Sequence, residues 1–230
     1  MKLLVVGCSF SSGWGFDGEK TNPAIWPNLL KADVTNLSIT GIDNTGIFLN
    51  TLTAKPLTFD CVIVQWTGID RVVLDNTMIT QDNPLPADIL PNTEYHQFYR
   101  SFLLLNKRLN HWTRFCQMVT YLQQYKNIYF VNGLVDWDKQ TFDMSRSWDQ
   151  VIDNKFLHSI IDCDQLTDSQ IQQTWATVKT QLSGIDLERW VNPFNSLQSI
   201  RIDQISNVDQ HPGTLSHQKY AELISNKIRG

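Results

Sequence analysis

A serine at the end of an apolar run, together with an Asp-x-His near the far end of the chain, can make a nucleophilic hydrolase. Residues 3–6 lead into Gly7-Cys8-Ser9-Phe10-Ser11, and Asp209-Gln210-His211-Pro212-Gly213 lies 18 residues before the final residue, counted from Pro212. Serine attacks an acyl carbon only when a base takes its proton. Histidine can be that base near neutral pH, and a carboxylate on its second nitrogen fixes the tautomer. Ser9, His211 and Asp209 are thus the candidate nucleophile, base and orienter. Backbone N–H groups at Ser9 and Gly41 are candidate oxyanion donors, because glycine lets the backbone approach closely.

Such residues need a frame, and the hydrophobic pattern supplies one. Residues 3–6 read as a strand buried on both faces, as in a parallel sheet. Further strands are expected at 34–39, 60–66, 127–134 and 199–205. Helices are expected at 24–30 (limited to about one turn by Pro27), 45–53, 93–125 and 214–229. Asn92 or Thr93 can cap the long one, where Phe98, Phe102, Leu105, Leu109, Trp112, Phe115, Cys116, Val119 and Leu122 recur three and four apart. The prolines Pro84, Pro86 and Pro91 make 75–92 a loop. Strands alternating with helices predict a three-layer α/β/α sandwich with a mostly parallel sheet. Residues 1–230 read as one domain, with a helical insertion or cap at about 135–190. In such sheets ligands bind at the carboxyl ends of the strands, where Ser9, Gly41 and Thr67 all fall.

Composition narrows the function further. A formal net charge of −4 argues against nucleic acid as the main partner. There are 17 Asn, 17 Gln and 8 Trp, which read either as a Trp-rich core under a neutral surface, since large aromatics are mostly buried, or as a cleft for a polar, uncharged ligand such as a sugar. The cysteines Cys8, Cys61, Cys116 and Cys163 form no C-x-x-C and no zinc spacing. Cys8 and Cys61 read as small buried hydrophobes. The glycines Gly7, Gly13 and Gly15 do not make G-x-G-x-x-G, and no phosphate-loop lysine follows. Asp136-Trp137-Asp138 and Asp162-Cys163-Asp164 read as solvated loop acids, and no metal is expected. His217 reads as solvent-facing on the last helix, and His96, His111 and His158 as helix-surface or core-edge residues. Arg71 reads as a structural ion-pair residue. The N-terminal apolar run is too short for a signal peptide, and no run of 18 apolar residues suggests a membrane span. Cytoplasmic synthesis is expected, and a protein released by lysis or carried on a virus particle would look the same.

Taken together, these blocks resemble the SGNH (GDSL-type) hydrolases, in order and over nearly the whole chain. The first block is Gly7-Cys8-Ser9-Phe10-Ser11. The second is Asn36-Leu37-Ser38-Ile39-Thr40-Gly41, with Asn44 beyond. The last is Asp209-Gln210-His211-Pro212. The resemblance implies a flavodoxin-like sheet, Ser9 as nucleophile, His211 as base, Asp209 as its orienter, Gly41 as oxyanion donor and no cofactor. Two departures stand out. Cys8 occupies the place of the family's aspartate. The third block, Trp66-Thr67-Gly68-Ile69-Asp70, lacks the family's asparagine donor, leaving Thr67 as the replacement. One such donor is typically worth roughly 10²–10³ in rate.

The expectation is a serine esterase acting on a small-molecule or glycan ester, with removal of carbohydrate O-acetyl groups favoured by the composition. Two alternatives use the same fold. One is a glycan-binding protein with an impaired site, which would recognise sugars through Trp137, Trp148 and Trp175. The other is an O-acyltransferase that passes the acyl group to a sugar hydroxyl.

Overall fold

Leu3, Leu4, Val5 and Val6 are all fully buried, which only a strand covered on both faces achieves. In the computed structural model this strand is β1 (Lys2–Val6), and it starts the sheet. The structure describes residues 1–69, 71–74, 77–79, 107–134, 136–153, 155–161, 163, 166–207 and 209–229. Strands β2 (Asp33–Asn36), β3 (Cys61–Trp66), β4 (Val72–Leu74), β5 (Thr77–Ile79) and β6 (Ile128–Asn132) follow. Helices are α1 (Ser9–Ser12), α2 (Trp26–Leu29), α3 (Asn44–Thr53), α4 (Lys107–Leu122), α5 (Lys155–Ile160), α6 (Asp168–Ser183) and α7 (Thr214–Arg229).

Four strands form an all-parallel sheet in the order β2-β1-β3-β6. Leu4 pairs with Val62, and Val5 with both Ile63 and Asn36. Successive side chains alternate between the faces. Leu3, Val5, Cys61, Ile63 and Val131 therefore share one side with Trp26 of α2 and Tyr220, Ala221 and Ile224 of α7. On the other side α3 packs on β1 and β3, burying Ile47. This is the expected α/β sandwich, helices on both sides, with the flavodoxin-like order.

Contacts divide the chain into two units. One comprises Met1–Gly68, Leu122–Asp136 and Asp186–Gly230, and it holds the whole parallel sheet. The other comprises Ile69–Tyr121 and Trp137–Ile185. The second unit has an aromatic centre: Trp137 packs edge-on against Trp112 and Phe115 and stacks on Phe142, and Trp148 tilts against Trp175. Gln181 Nε2 donates to Thr113 Oγ1 at 2.8 Å, tying α6 to α4.

Several local readings change. The segment 199–205 is not a strand: the N–H groups of Ile202 and Asp203 turn to Ser216 Oγ, at 2.9 and 3.0 Å, and only Gln204 bridges, to Pro212. Thr77–Ile79, inside the expected loop 75–92, pairs antiparallel with β4. The second strand is regular only to Asn36, whose carboxamide accepts from Ser38 N, although Leu37 N and Ile39 N still donate to Val5 O and Gly7 O at 2.8 and 2.9 Å. His217 is buried rather than solvent-facing, since α7 turns that residue under Trp26, whose N–H donates to His217 Nδ1 at 3.0 Å. Helix α4 is described from Lys107, and its apolar stripe is buried at Trp112, Phe115, Cys116, Val119 and Leu122. The remainder of the expected 93–125 helix and its cap, together with Pro84, Pro86, Pro91, His96, Asp70, Asp162 and Asp164, lies outside the described residues.

Candidate active site

Strand β1 ends at Val6, and the chain turns at once into α1, placing Ser9 at the carboxyl edge of the sheet. The turn is held from the neighbouring strand. Gln65 of β3 is fully buried. Its Oε1 accepts from Cys8 N at 3.0 Å and from Ser11 Oγ at 2.8 Å, and its Nε2 donates to Trp66 O at 2.8 Å and to Cys8 Sγ at 3.2 Å. Gly7 leaves the room for this amide: a Cβ there would sit 2.7 Å from Gln65 Oε1. Asn36 Nδ2 adds a bond to Ser11 O at 2.8 Å. Gln65 is thus a site residue the sequence reading missed; its signal is a lone amide in the otherwise apolar Cys61–Trp66 strand.

The structure brings Ser9, His211 and Asp209 together. His211 Nε2 lies 3.0 Å from Ser9 Oγ, and His211 Nδ1 lies 2.6 Å from Asp209 Oδ1. Asp209 Oδ1 also accepts His211 N at 2.9 Å, so a spacing of two residues suffices for one carboxylate oxygen to hold both the backbone and the ring. The His211 backbone N–H is the main reason the Asp209 carboxyl titrates below its ordinary value; the imidazole and the Trp14 indole add to it, against some desolvation. A carboxylate at Nδ1 favours the tautomer with Nδ1 protonated, which turns the Nε2 lone pair toward Ser9.

The loop carrying this pair is braced from both ends. Ile205 N donates to His211 O at 3.0 Å, and Gly213 N to Asp203 O at 3.1 Å. Asp203 in turn accepts the N–H groups of Leu215 and Ser216, at 3.0 and 2.8 Å, at the start of α7. Asp203 was not singled out by any motif, and nothing in its local spacing marks it.

Gly41 has φ +79, a left-handed conformation that glycine adopts without strain. Its loop is tied to α1 by the contact of Ser12 Oγ with Thr40 Oγ1 at 2.7 Å. Among the described residues, the N–H groups of Ser9 and Gly41 meet no protein acceptor. Thr67 stands at the end of β3, its N–H held by Asn44 Oδ1 at 2.9 Å, while its hydroxyl is shielded from solvent and without a partner among the described residues. Both Asn44 amide hydrogens reach carbonyls, Thr67 O at 3.3 Å and Gly68 O at 3.2 Å, so Asn44 is a brace here.

The remaining candidates are structural. Asp136 Oδ1 accepts Ser196 N at 2.6 Å, and Asp138 caps a 3₁₀ turn through Gln140 N. Among the described residues no group of three His, Cys, Asp or Glu could hold a metal ion, and no helix is long and apolar enough to cross a membrane. Trp137, Trp148 and Trp175 are 2%, 8% and 4% exposed, so a glycan cannot stack on them; they form core with Val119, Leu157, Ile160, Val178 and Leu182 of the same unit. None of the four cysteines is in a disulfide, and burial raises the Cys61 thiol to about 11, with Asp60 adding to the effect.

No family model matches the sequence, and no curated protein matches it. Among solved structures the chain is similar to TesA, with a TM-score of 0.50 and 12% identity, covering 100% of this chain and 98% of that one. It is also similar to the lipase/acylhydrolase from Enterococcus faecalis, with a TM-score of 0.48, 13% identity, and 100% and 96% covered. A third is a GDSL-like lipase from Bacteroides thetaiotaomicron, with a TM-score of 0.43, 12% identity, and 99% and 87% covered. The fold is an α/β fold with a parallel sheet, shared with TesA along the whole chain.

Proposed function

We propose that this chain is a serine ester hydrolase of SGNH type, working through an acyl-enzyme. The observation that carries the reading is the unbroken relay from Ser9 Oγ to His211 to Asp209, at 3.0 and 2.6 Å. Ser9 Oγ attacks the acyl carbon as its proton passes to His211 Nε2. The charge that develops on the carbonyl oxygen is met by the N–H groups of Ser9 and Gly41, with Thr67 Oγ1 as third donor once it rotates toward the substrate. Collapse of the adduct breaks the ester C–O bond, and His211 returns the proton to the leaving alcohol. Water then attacks the acyl-Ser9 ester, gives its proton to His211, and releases the acid as Ser9 regains the proton. Asp209 stays ionised throughout and stabilises the imidazolium.

The carboxylic ester of a small acid, an O-acetyl group above all, is the substrate class in this reading. The test is release of acetate from acetyl esters by the purified protein beside its Ser9→Ala variant. Hydrolysis lost in the variant is expected, and hydrolysis retained in it would remove Ser9 as nucleophile.

A further inference from the structure

Seven of the eight tryptophans are buried, each 8% exposed or less. Trp14 is the exception, 43% exposed. It stands between Gly13 and Gly15, whose φ values are 78 and 85. The same loop rests on the segment that carries the acid: a Cβ at Gly15 would collide with Ile205 Cδ1 and come within 3.3 Å of Asp209 Oδ2. The Trp14 ring centre lies 6.3 Å from that of His211, tilted by 53°, while the buried Phe10 flanks the imidazole at 5.8 Å. Of the two rings that flank His211, Phe10 is buried and Trp14 is open to solvent, so the indole is the aromatic face beside the base that a ligand can reach.

Resting on the esterase reading above, we propose that Trp14 is the specificity-determining residue for the leaving group, stacking on a flat ring carried by the alcohol of the ester. The side follows from the proton's route. His211 delivers its proton to the alcohol oxygen, so a ring beside the imidazole is nearer the alcohol than the far end of the acyl chain. A flat indole face suits the C–H face of a sugar ring or an aryl ring. It gives a flexible linear alcohol less, since that chain loses more rotamer freedom when bound.

The test compares acetates of primary alcohols with similar leaving ability: butyl acetate, benzyl acetate and a methyl glucoside acetylated at its primary hydroxyl. Ethyl esters of acetic, butyric and hexanoic acids form the acyl series. The expected result is that Trp14→Ala cuts the ring-to-butyl ratio of kcat/KM by roughly 10-fold, mainly through KM. It leaves the order of the acyl series intact, and Trp14→Phe keeps most of the ring preference. The two ring substrates show whether the preferred face is sugar or aryl. An unchanged ring-to-butyl ratio in Trp14→Ala overturns the proposal. So does an equal fall in kcat on every ester in both variants with an altered pH profile, which would mean the indole N–H only supports Asp209. In either of those cases the Ser9 reading stands. If the unmodified protein hydrolyses no ester, the Ser9 reading fails and takes this inference with it.

Discussion

Asp209 accepts two bonds from one residue, and this gives the relay a sharp residue-level signature. Asp209→Asn keeps the shape but presents an amide to the imidazole, favouring the wrong tautomer. It should lower kcat by roughly 10³–10⁴ with a small change in KM. Steady-state kinetics on an acetyl ester reads this, and a change under tenfold would mean that His211 does not depend on Asp209. Thr67→Val keeps the volume and removes only the unpartnered hydroxyl. The expected fall in kcat is about 10²-fold, and an unchanged kcat would leave the Ser9 and Gly41 N–H groups as the whole oxyanion site. At this scale the sequence was eloquent about residues whose types carry chemistry. Ser9, Asp209 and His211 stand at motif spacing, and the structure places them in contact. It was silent about braces such as Gln65 and Asp203, because an amide or a carboxylate that holds backbone groups looks like any other polar residue until the chain is folded.

Between elements, the decisive contacts are those that hold α1 and α7 at the sheet edge. Gln65→Leu removes four bonds and strands the Cys8 N–H in an apolar setting, so a loss of about 1–3 kcal/mol in stability is expected. Gln65→Glu, which restores an acceptor, should recover part of the activity. Equal loss in both would show that the acceptor alone does not hold the turn and that the Nε2 donor to Trp66 O is required. His217 of α7 sets a pH dependence of stability. Burial lowers its pKa from 6.5 to about 4, against the opposing pull of Asp203. Between those values the unfolded chain binds more protons than the folded one, so stability is complete above the unfolded pKa and declines as pH falls toward 4. The full difference is about 3 kcal/mol. Denaturant titrations at a series of pH values should show that slope, and His217→Gln, which keeps an acceptor for Trp26 N, should flatten it. A slope unchanged by that substitution would assign the acid sensitivity to other groups. Buried strands such as 60–66 and amphipathic helices such as 214–229 were legible because burial imposes a period on the sequence. The segment 199–205 looked like a strand because its alternating residues fit a pleat, but its N–H groups are taken by Ser196, Ser216 and His211.

For the whole molecule, the tryptophans separate the two units' cores from the reacting surface. Composition left the tryptophans as core or as rings lining a sugar site, and packing takes seven of them, in line with the rule that large aromatics are mostly buried. Acrylamide should therefore quench one tryptophan strongly, and Trp14→Phe should remove most of the accessible emission. Efficient quenching that survives this substitution would mean that the cores open. The fold itself was readable from the alternation of strands and helices, while the division into two units was not, because the second draws on stretches on both sides of β6. The most direct test of the central claim is labelling with a fluorophosphonate, read by intact mass on the full chain and on Ser9→Ala and His211→Ala. A single adduct on the unmodified protein, absent from both variants, is the predicted result. An unlabelled wild type, or an adduct that persists in Ser9→Ala, would contradict an activated Ser9.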